Sequence, residues 1–309
     1  MKVAILSGGF SEERHSSRES AESVVAALTR LGHEPYIVEY DADFLMRLRE
    51  ISPDAVFHLT QGKHHGDGAA QAILELLGLP YTGSRPHAAA VINHKTLCKK
   101  IWLAAATEIL TPPFFELSRE EYESEGFAGF LEKAETAGLA LPIVVKAPTQ
   151  GGRFGIVFVK DERSFGKLDE PFQYDDVLLC ERYVEGRFIA HGILEIEGKL
   201  TALPPVEIID TTGDEFKLYN YGTTAADPGF TQERIAEINH VSLTAAKLVG
   251  ASGVARLDYH LSGGELYLLE INANPGLKPN LSDMTECAKA AGYSYDELIA
   301  LILATAKKG

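Results

Sequence analysis

Residues 255–276 read ARLDYHLSGGELYLLEINANPG, two apolar segments joined by Ser-Gly-Gly. Apolar and polar residues alternate along both segments, and the glycine pair supplies the positive backbone angles of a tight turn, so a β-hairpin is predicted. Residues two apart on a strand share a face, so Glu270 and Asn272 point the same way and Asp258 stands opposite them on the partner strand. The hairpin should therefore bring two carboxylates and an amide oxygen together.

Neighbouring carboxylates repel each other, and burial increases that cost unless a cation or a proton compensates. Hard oxygen ligands suit Mg²⁺, which commonly takes one or two carboxylates and completes its shell with water and substrate phosphates. Asp258, Glu270 and Asn272 are therefore candidate metal ligands. The alternative is a polar hairpin with solvated acids, because a Glu-X-Asn triplet alone has low specificity.

The composition narrows the class of protein. A chain of 309 residues with 45% hydrophobic content predicts two or three domains with a sizeable core. The formal net charge of -15 argues against nucleic acid or an anionic membrane surface as a partner, since both require clustered positive charge, and favours small-molecule chemistry. Three widely spaced cysteines indicate neither a disulfide framework nor a thiolate metal site. No segment has the pattern of a signal peptide or a membrane span, so we expect a cytoplasmic protein.

The order of predicted elements divides the chain. Residues 1–92 alternate strands and helices, which predicts an α/β domain with a parallel sheet. Residues 141–160, LPIVVKAPTQGGRFGIVFVK, predict a second hairpin with a glycine-rich tip. Residues 177–209 predict consecutive strands, and an amphipathic helix at residues 293–308 closes the chain.

The glycine-rich tip is a candidate phosphate-binding loop. Lys146 ends its first strand, and Gly151 and Gly152 follow. Glycines let backbone N–H groups approach phosphate oxygens, and the lysine adds a point charge beside them; Arg153 strengthens this reading slightly. The loop is not a Walker A motif because the lysine precedes the glycines. An ordinary hairpin loop is the alternative.

The segment GGFSEER, residues 8–14, follows the first strand and precedes a helix, where anions are favoured. It lacks the dinucleotide-binding glycine pattern. Glu13 is either an ordinary acid in the first turn or the partner of a substrate ammonium. His64 and His65 are expected in a solvated loop, because adjacent histidines tend to diverge rather than share a metal.

The order of the motifs closely resembles the D-alanine:D-alanine ligase family of ATP-grasp enzymes over essentially the whole chain. The motifs are SGGFSEER, GDGAAQAILELLGLPYTGS, NHKTLCKK, LPIVVKAPTQGGRFG, ERYVEG, ARLDYHL and LLEINANPG. The resemblance implies an α/β ATP-grasp fold with nucleotide bound between two α+β lobes. It implies three domains: an N-terminal parallel α/β substrate domain over 1–92, a central lobe with the phosphate loop over 93–181, and a C-terminal lobe with the metal site over 182–309.

The resemblance also implies ATP and Mg²⁺ as cofactors and assigns residues to them. Asp258, Glu270 and Asn272 would hold magnesium. The expected nucleotide contacts are Lys95 and Lys146 on the phosphates, Gly152 and Arg153 in the loop, Glu181 on the exocyclic amine, Arg182 and Val184 at the adenine edge, and Glu185 near the ribose.

Other residues are assigned to the amino-acid substrate. Glu13 and Ser17 would orient the first amino acid, and Arg256 would stabilise the tetrahedral oxyanion. Asn274 and Gly276, in the segment after the metal ligands, are expected to contact the substrate.

The departures from the family pattern concentrate on substrate contacts. Gly152 and Arg153 replace two serines of the phosphate loop, and Gln61 begins a pair that replaces histidine-glycine. Where the family has an acidic residue that contacts the ribose, this chain has Phe188, which leaves Glu185 as a possible substitute. LKPNLSDM, residues 277–284, replaces the usual acceptor contacts, and Lys217, Tyr219 or Tyr221 would serve as the mobile-loop residue.

These residues predict an ATP-dependent carboxylate-amine ligase that forms an amide through an acyl phosphate, with ADP and phosphate as products. We expect a small D-amino-acid-like substrate and a homodimer. Such a ligase could serve natural-product biosynthesis, including intramolecular ring closure. One alternative is a cell-wall D-alanine:D-alanine ligase. The other is a nucleotide-binding regulator that has lost catalysis, which the missing loop serines would explain.

Overall fold

The structure is a computed structural model that describes residues 1–105, 108–152, 154–209 and 224–308. Arg153, Lys217, Tyr219 and Tyr221 lie outside the described residues. Within the described part of the chain, no helix is both long and apolar enough to cross a membrane.

The amino-terminal region contains a three-stranded parallel sheet in the order β2-β1-β3. The predicted parallel α/β opening is confirmed; helices α2 and α4 were not predicted. The elements are β1 (Lys2–Ser7), α1 (Arg14–Arg30), β2 (Glu34–Glu39), α2 (Phe44–Ile51), β3 (Ala55–His58), α3 (Ala69–Leu76) and α4 (Pro86–Ile92).

The middle region contains a four-stranded antiparallel sheet in the order β4-β7-β5-β6. The predicted glycine-tipped hairpin forms its edge, where β5 pairs with β6. The elements are α5 (Lys95–Ala105), β4 (Phe114–Ser118), α6 (Arg119–Thr136, interrupted at Gly126), β5 (Ile143–Lys146), β6 (Ile156–Val159), α7 (Glu162–Phe165) and β7 (Val177–Arg182).

The carboxy-terminal region contains a six-stranded antiparallel sheet in the order β11-β10-β8-β12-β13, with β9 on β8. The predicted hairpin that carries Asp258 and Glu270 is its β12-β13 edge. The elements are β8 (Arg187–Ile196), β9 (Lys199–Ala202), β10 (Val206–Ile209), β11 (Thr224–Ala226), α8 (Gln232–Leu248), β12 (Val254–Ser262), β13 (Glu265–Asn272), α9 (Asp283–Ala290) and α10 (Tyr295–Ala304).

The core links the first and last regions. Apolar residues of β1 and α1 pack in one buried cluster with residues of β8, α9 and α10. A second cluster joins α4 and α5 to α8 and the β12-β13 hairpin, with Trp102 fully buried in it. Helix α5 is therefore held against the six-stranded sheet, while the middle sheet has its own core. The three regions meet around one cavity, to which each contributes polar side chains.

Candidate active site

The β12-β13 hairpin places its polar residues as the alternation predicted. Asp258 lies opposite Glu270, and Arg256 lies opposite Asn272, so all four side chains share one face. A register shift after Asp258 adds one residue to β13 and ends the regular alternation there. These four side chains line the cavity.

Hydrogen bonds and ion pairs connect the four side chains. The Arg256 guanidinium donates two bonds to the Asp258 carboxylate, at 2.7 and 2.8 Å. Asn272 Nδ2 lies 3.0 Å from Asp258 Oδ2 and 3.5 Å from Glu270 Oε1. The two carboxylates and the amide therefore converge on one point of the cavity wall.

Burial and charge act differently on the two carboxylates. Burial raises the pKa of Asp258 more than the neighbouring Arg256 charge lowers it. Burial also opposes ionisation of Glu270, but the charges of Lys95, Lys146 and Arg256 outweigh it and lower the pKa of that carboxyl. Negative charge is thus held most firmly at Glu270, the carboxylate that faces the lysines.

The donor set fits a divalent cation. Two carboxylates and a carboxamide in mutual contact are ligands that Mg²⁺ prefers. The oxygen and nitrogen of the Asn272 amide exchange places by rotation of the side chain, so that the amide can present its oxygen to a cation. Asp258, Glu270 and Asn272 are the residues that would hold the metal.

Two lysines of helix α5, one turn apart, contact carboxylates on two different sheets. Lys95 Nζ lies 3.2 Å from Glu270 Oε2 on the six-stranded sheet. Lys99 Nζ lies 2.6 Å from Glu181 Oε1 on the four-stranded sheet. Residues four apart on a helix share a face, which explains how one helix reaches both carboxylates.

Glu181 is held between two lysines. Its second oxygen lies 2.6 Å from Lys146 Nζ, while its side chain is only 2% exposed. Burial raises the pKa of Glu181, but Lys146 and Lys99 together lower it below its usual value. The carboxylate expected to meet the adenine amine thus lines the cavity with both oxygens in ion pairs.

The glycine-rich loop is anchored at its base. Lys95 donates its backbone N–H to Pro148 O at 3.0 Å, and its ammonium donates to Gln150 O. Thr149 binds the Asp175 carboxylate through its N–H at 2.9 Å and its hydroxyl at 2.8 Å. These bonds hold the loop next to the amino end of α5, where Gly151 and Gly152 line the cavity.

Glu13 lies against this loop from the amino-terminal region. A Cβ added at Gly151 would lie 2.4 Å from Glu13 Oε2, so a larger residue there would force the Glu13 carboxylate to move. Burial and the nearby Glu270 raise the pKa of Glu13, while Lys95 and Arg256 lower it; the net effect is a rise. Glu13 therefore faces the same charged cluster as the metal ligands.

The end of β7 and the two residues that follow form another wall of the cavity, through Arg182, Tyr183 and Val184. Arg182 uses its backbone N–H in a 3.0 Å bond to Pro113 O. His260 Nδ1 donates to Val184 O at 2.6 Å, and Phe188 packs edge-on against the same histidine ring. Glu185, by contrast, is exposed and is not among the residues that line the cavity.

Asn274 and Gly276 continue the cavity wall beyond Asn272. Asn274 Nδ2 donates to Thr60 O at 3.0 Å, and Gln61 Nε2 donates to Asn274 O at 2.6 Å. The carboxy-terminal segment is thus joined to the loop after β3, and Gln61 itself lines the cavity.

Two expectations in the amino-terminal region need revision. Ser17 is buried behind the wall: its hydroxyl accepts from Gly8 N at 3.0 Å and donates to Leu59 O at 2.9 Å, whereas Ser16 lines the cavity. The solvated loop expected for both histidines is wrong for His65, which is buried and accepts from Phe10 N at 2.6 Å, although His64 is exposed.

The sequence interpretation missed three residues around the site. Lys99 and Thr111 stand behind Glu181, and buried Asp283 lies 3.6 Å from Arg256 Nη1. The four-residue spacing from Lys95 was the available signal for Lys99. Asp283 and Thr111 have no local pattern that marks them, because only the fold brings them to the site.

Comparisons with known proteins agree with this geometry. Residues 103–304 match the family model described as D-ala D-ala ligase C-terminus. The chain is 34% identical to a D-alanine–D-alanine ligase of Moorella thermoacetica, with 98% of each chain covered, and 33% identical to one of Aquifex aeolicus, with 98% and 100% covered. The crystal structure of the Bacillus anthracis D-alanine–D-alanine ligase complexed with ATP matches with a TM-score of 0.80 at 27% identity, covering 99% of this chain and 97% of that one.

The likeness extends over the entire chain and includes the ATP-grasp architecture. The resemblance drawn from the motifs is confirmed, as is the α/β fold class. The chain belongs to the D-alanine–D-alanine ligase family: it is an ATP-grasp ligase that uses ATP and Mg²⁺ to form a C–N bond.

Proposed function

We propose that this ligase joins two molecules of D-alanine, the function that the sequence interpretation kept as its cell-wall alternative. The relatives described above, which carry that name, support it. The observation that carries the proposal is the single cavity in which Lys95, Glu270 and Arg256 face Glu13. A phosphate-binding group, a metal ligand, an oxyanion donor and a candidate ammonium partner thus meet at one place.

Natural-product assembly and intramolecular ring closure are not retained, because none of the relatives described above is named for either. The inactive-regulator alternative is also dropped. A chain that had lost catalysis would have no need to keep two carboxylates, their lysines and the Arg256 fork in register around one cavity.

We divide the cavity into two ends. The phosphate end comprises Lys95, Lys146, Glu181, Asp258 and Glu270. We assign the lysines and the glycine-rich loop to the phosphates of ATP, and Asp258, Glu270 and Asn272 to magnesium. The adenine is assigned to the wall formed by Arg182 and Val184, with Glu181 beside it. The role of Glu185 remains a prediction, as does that of Arg153, which lies outside the described residues.

The amino-acid end comprises Glu13, Gln61, Asn274, Gly276 and Ser282. We assign the Glu13 carboxylate to the ammonium of the first D-alanine. The polar groups of Asn274 and Gly276 are assigned to the substrates. Ser17 supports this end from behind through its bonds to Gly8 and Leu59.

The proposed chemistry has two steps. A carboxylate oxygen of the first D-alanine attacks the terminal phosphorus of ATP; an O–P bond forms, the bond to ADP breaks, and an acyl phosphate results. The amine of the second D-alanine then attacks the acyl carbon, phosphate leaves, and the amine proton is lost. Magnesium, when bound, offsets charge on the phosphates.

The side chains act on charge in both steps. Lys95 and Lys146 face the position where the phosphoryl group is transferred, and they offset its negative charge. Arg256 is oriented by its two bonds to Asp258, and we assign its guanidinium charge to the oxyanion that develops at the acyl carbon.

The test is ADP release with ATP, Mg²⁺ and D-alanine, measured against L-alanine and against no amino acid. We expect ADP release to require D-alanine and to be matched one to one by D-alanyl-D-alanine in mass spectrometry. ADP release that is the same with L-alanine, or that yields no dipeptide, would contradict the proposal.

The domain boundaries, a homodimer and a cytoplasmic location also stay predictions. Light scattering on the purified protein tests the homodimer, for which a mass of twice the 33.6 kDa chain is expected.

A further inference from the structure

Lys99 is a fully buried cation that does not line the cavity. Its ammonium contacts the Glu181 carboxylate at 2.6 Å and the Thr111 hydroxyl behind it. Burying a lysine is costly, and an apolar side chain of similar volume would fill the same space without that cost. The charge at this position therefore calls for an explanation beyond packing.

Two lysines share the Glu181 carboxylate, and this sharing explains the charge of Lys99. Lys99 and Lys146 each hold one oxygen of the same carboxylate at 2.6 Å, one from behind and one from the cavity. The three side chains together carry one net positive charge. Lys146 is the member that is 13% exposed and faces the cavity, so the surplus charge is directed there.

An anion that enters the cavity competes with Glu181 for the Lys146 ammonium. With Lys99 in place, Glu181 keeps a counter-charge when Lys146 turns to the anion. Without Lys99, Glu181 would be a buried carboxylate with Lys146 as its cation, and it would hold that ammonium more tightly.

We propose that Lys99 is a positioning residue for nucleotide binding, which neutralises Glu181 from behind and so makes Lys146 available to phosphate. The inference rests on the proposed function, since it requires the phosphates of ATP to reach Lys146. It predicts an effect on phosphate recognition, and none on recognition of the nucleoside.

The experiment measures dissociation constants of ATP and adenosine by calorimetry without magnesium, in wild type and Lys99→Met. We expect the Kd of ATP to rise about tenfold and the Kd of adenosine to stay within about twofold. Lys100→Met is the matched control, because Lys100 is the next residue on α5, is 52% exposed and pairs with Glu116 outside the site. It should leave both constants unchanged.

A second variant separates positioning from stability. In Lys99→Met/Glu181→Gln the carboxylate that captures Lys146 is gone, so the ratio of the adenosine Kd to the ATP Kd should return to within about threefold of wild type. A purely structural Lys99 would change both dissociation constants by one factor, and the ratio would stay at the wild-type value in every variant. That result would overturn the proposal.

If Lys99→Met does not fold, Thr111→Val takes its place, because it removes the hydrogen bond between the Lys99 ammonium and the Thr111 hydroxyl. We expect the Kd of ATP to rise about threefold, with that of adenosine unchanged; an unchanged Kd of ATP would overturn the proposal. A wild-type protein that binds no ATP even when magnesium is added would overturn the proposed function itself, whereas ATP binding that is equal in wild type and Lys99→Met would overturn the role of Lys99 alone.

Discussion

At the phosphate end of the cavity, charged side chains contact one another directly, whereas the amino-acid end is built mostly from amides, hydroxyls and main chain. Lys95 pairs with Glu270, and Lys146 pairs with Glu181. At the other end, Gln61 binds the main chain of Asn274. In the proposed function, the first arrangement stabilises the charge that moves during phosphoryl transfer. The second recognises the shape and hydrogen-bonding groups of the amino acid.

The two ends also differ in how they depart from the family pattern. The charged residues of the phosphate end match the motifs, while Gln61, Gly152 and residues 277–284 replace the usual substrate contacts. Changes at the phosphate end should therefore reduce turnover with every amino acid, and changes at the amino-acid end should alter the Michaelis constant of the amino acid.

The largest effect is expected for Glu270→Gln. The change removes a metal-ligand charge and the partner of Lys95 with little change in volume. We expect kcat to fall about 10³-fold, with the melting temperature little changed. Steady-state ADP release at several magnesium concentrations measures it. Glu265→Gln, an exposed acid on the same strand, is the control, and equal activity of the two variants would contradict the assignment.

A smaller loss is expected for Arg256→Lys. Lysine keeps the charge but cannot reproduce the two parallel bonds to Asp258 at 2.7 and 2.8 Å. We expect kcat to fall about 10²-fold while the KM for ATP changes little. Arg187 forms a comparable fork with Glu207 at the surface, so Arg187→Lys should have nearly wild-type kinetics. A KM effect without a kcat effect would place Arg256 in binding alone.

At the amino-acid end, Glu13→Gln should act on substrate binding. The variant removes the charge proposed to bind the ammonium of the first D-alanine. We expect the KM for D-alanine to rise about tenfold or more and the KM for ATP to stay unchanged. Glu12→Gln, at the neighbouring exposed position, controls for the loss of one acid. If both Michaelis constants rise together, Glu13 serves the entire cavity instead of one end.

The smallest effect is expected for Gly151→Ala. The added Cβ would lie 2.4 Å from Glu13 Oε2, so the carboxylate must move away from the loop. We expect the KM for D-alanine to rise about threefold to tenfold through this displacement. Gly166→Ala is the matched control, since its Cβ would have no neighbour closer than 3.6 Å. Kinetics of Gly151→Ala equal to those of the control would mean that the carboxylate has room to shift at no cost.

Local patterns predicted the hairpin at the phosphate end, whereas Lys95 and Glu181 were assigned only through the family resemblance. Alternation along β12 and β13 fixed which side chains share a face, and the pairing of Asp258 with Glu270 followed from a tight turn. The parallel sheet of β1 to β3 was likewise predictable from short apolar strands separated by a helix.

Contacts between distant segments could not be read from such patterns. Ser17 was expected at the substrate because the family resemblance assigned it there, but its hydroxyl bonds to Gly8 and Leu59. His65 was expected in a solvated loop because adjacent histidines tend to diverge, yet the folded chain buries it where it accepts a bond from Phe10 N. Asp283 reaches Arg256 only because α9 packs on the six-stranded sheet.

We propose that one cavity serves both the attack of the D-alanine carboxylate on the terminal phosphorus of ATP and the attack of an amine on the acyl phosphate that results, and an isotope experiment tests this directly. D-alanine labelled with ¹⁸O in its carboxylate is incubated with ATP, Mg²⁺ and the enzyme, and the phosphate released is analysed by mass spectrometry. The account predicts ADP as the nucleotide product and one ¹⁸O atom in each phosphate, because the carboxylate oxygen that attacks phosphorus leaves with it. Unlabelled phosphate, or AMP with pyrophosphate, would contradict it.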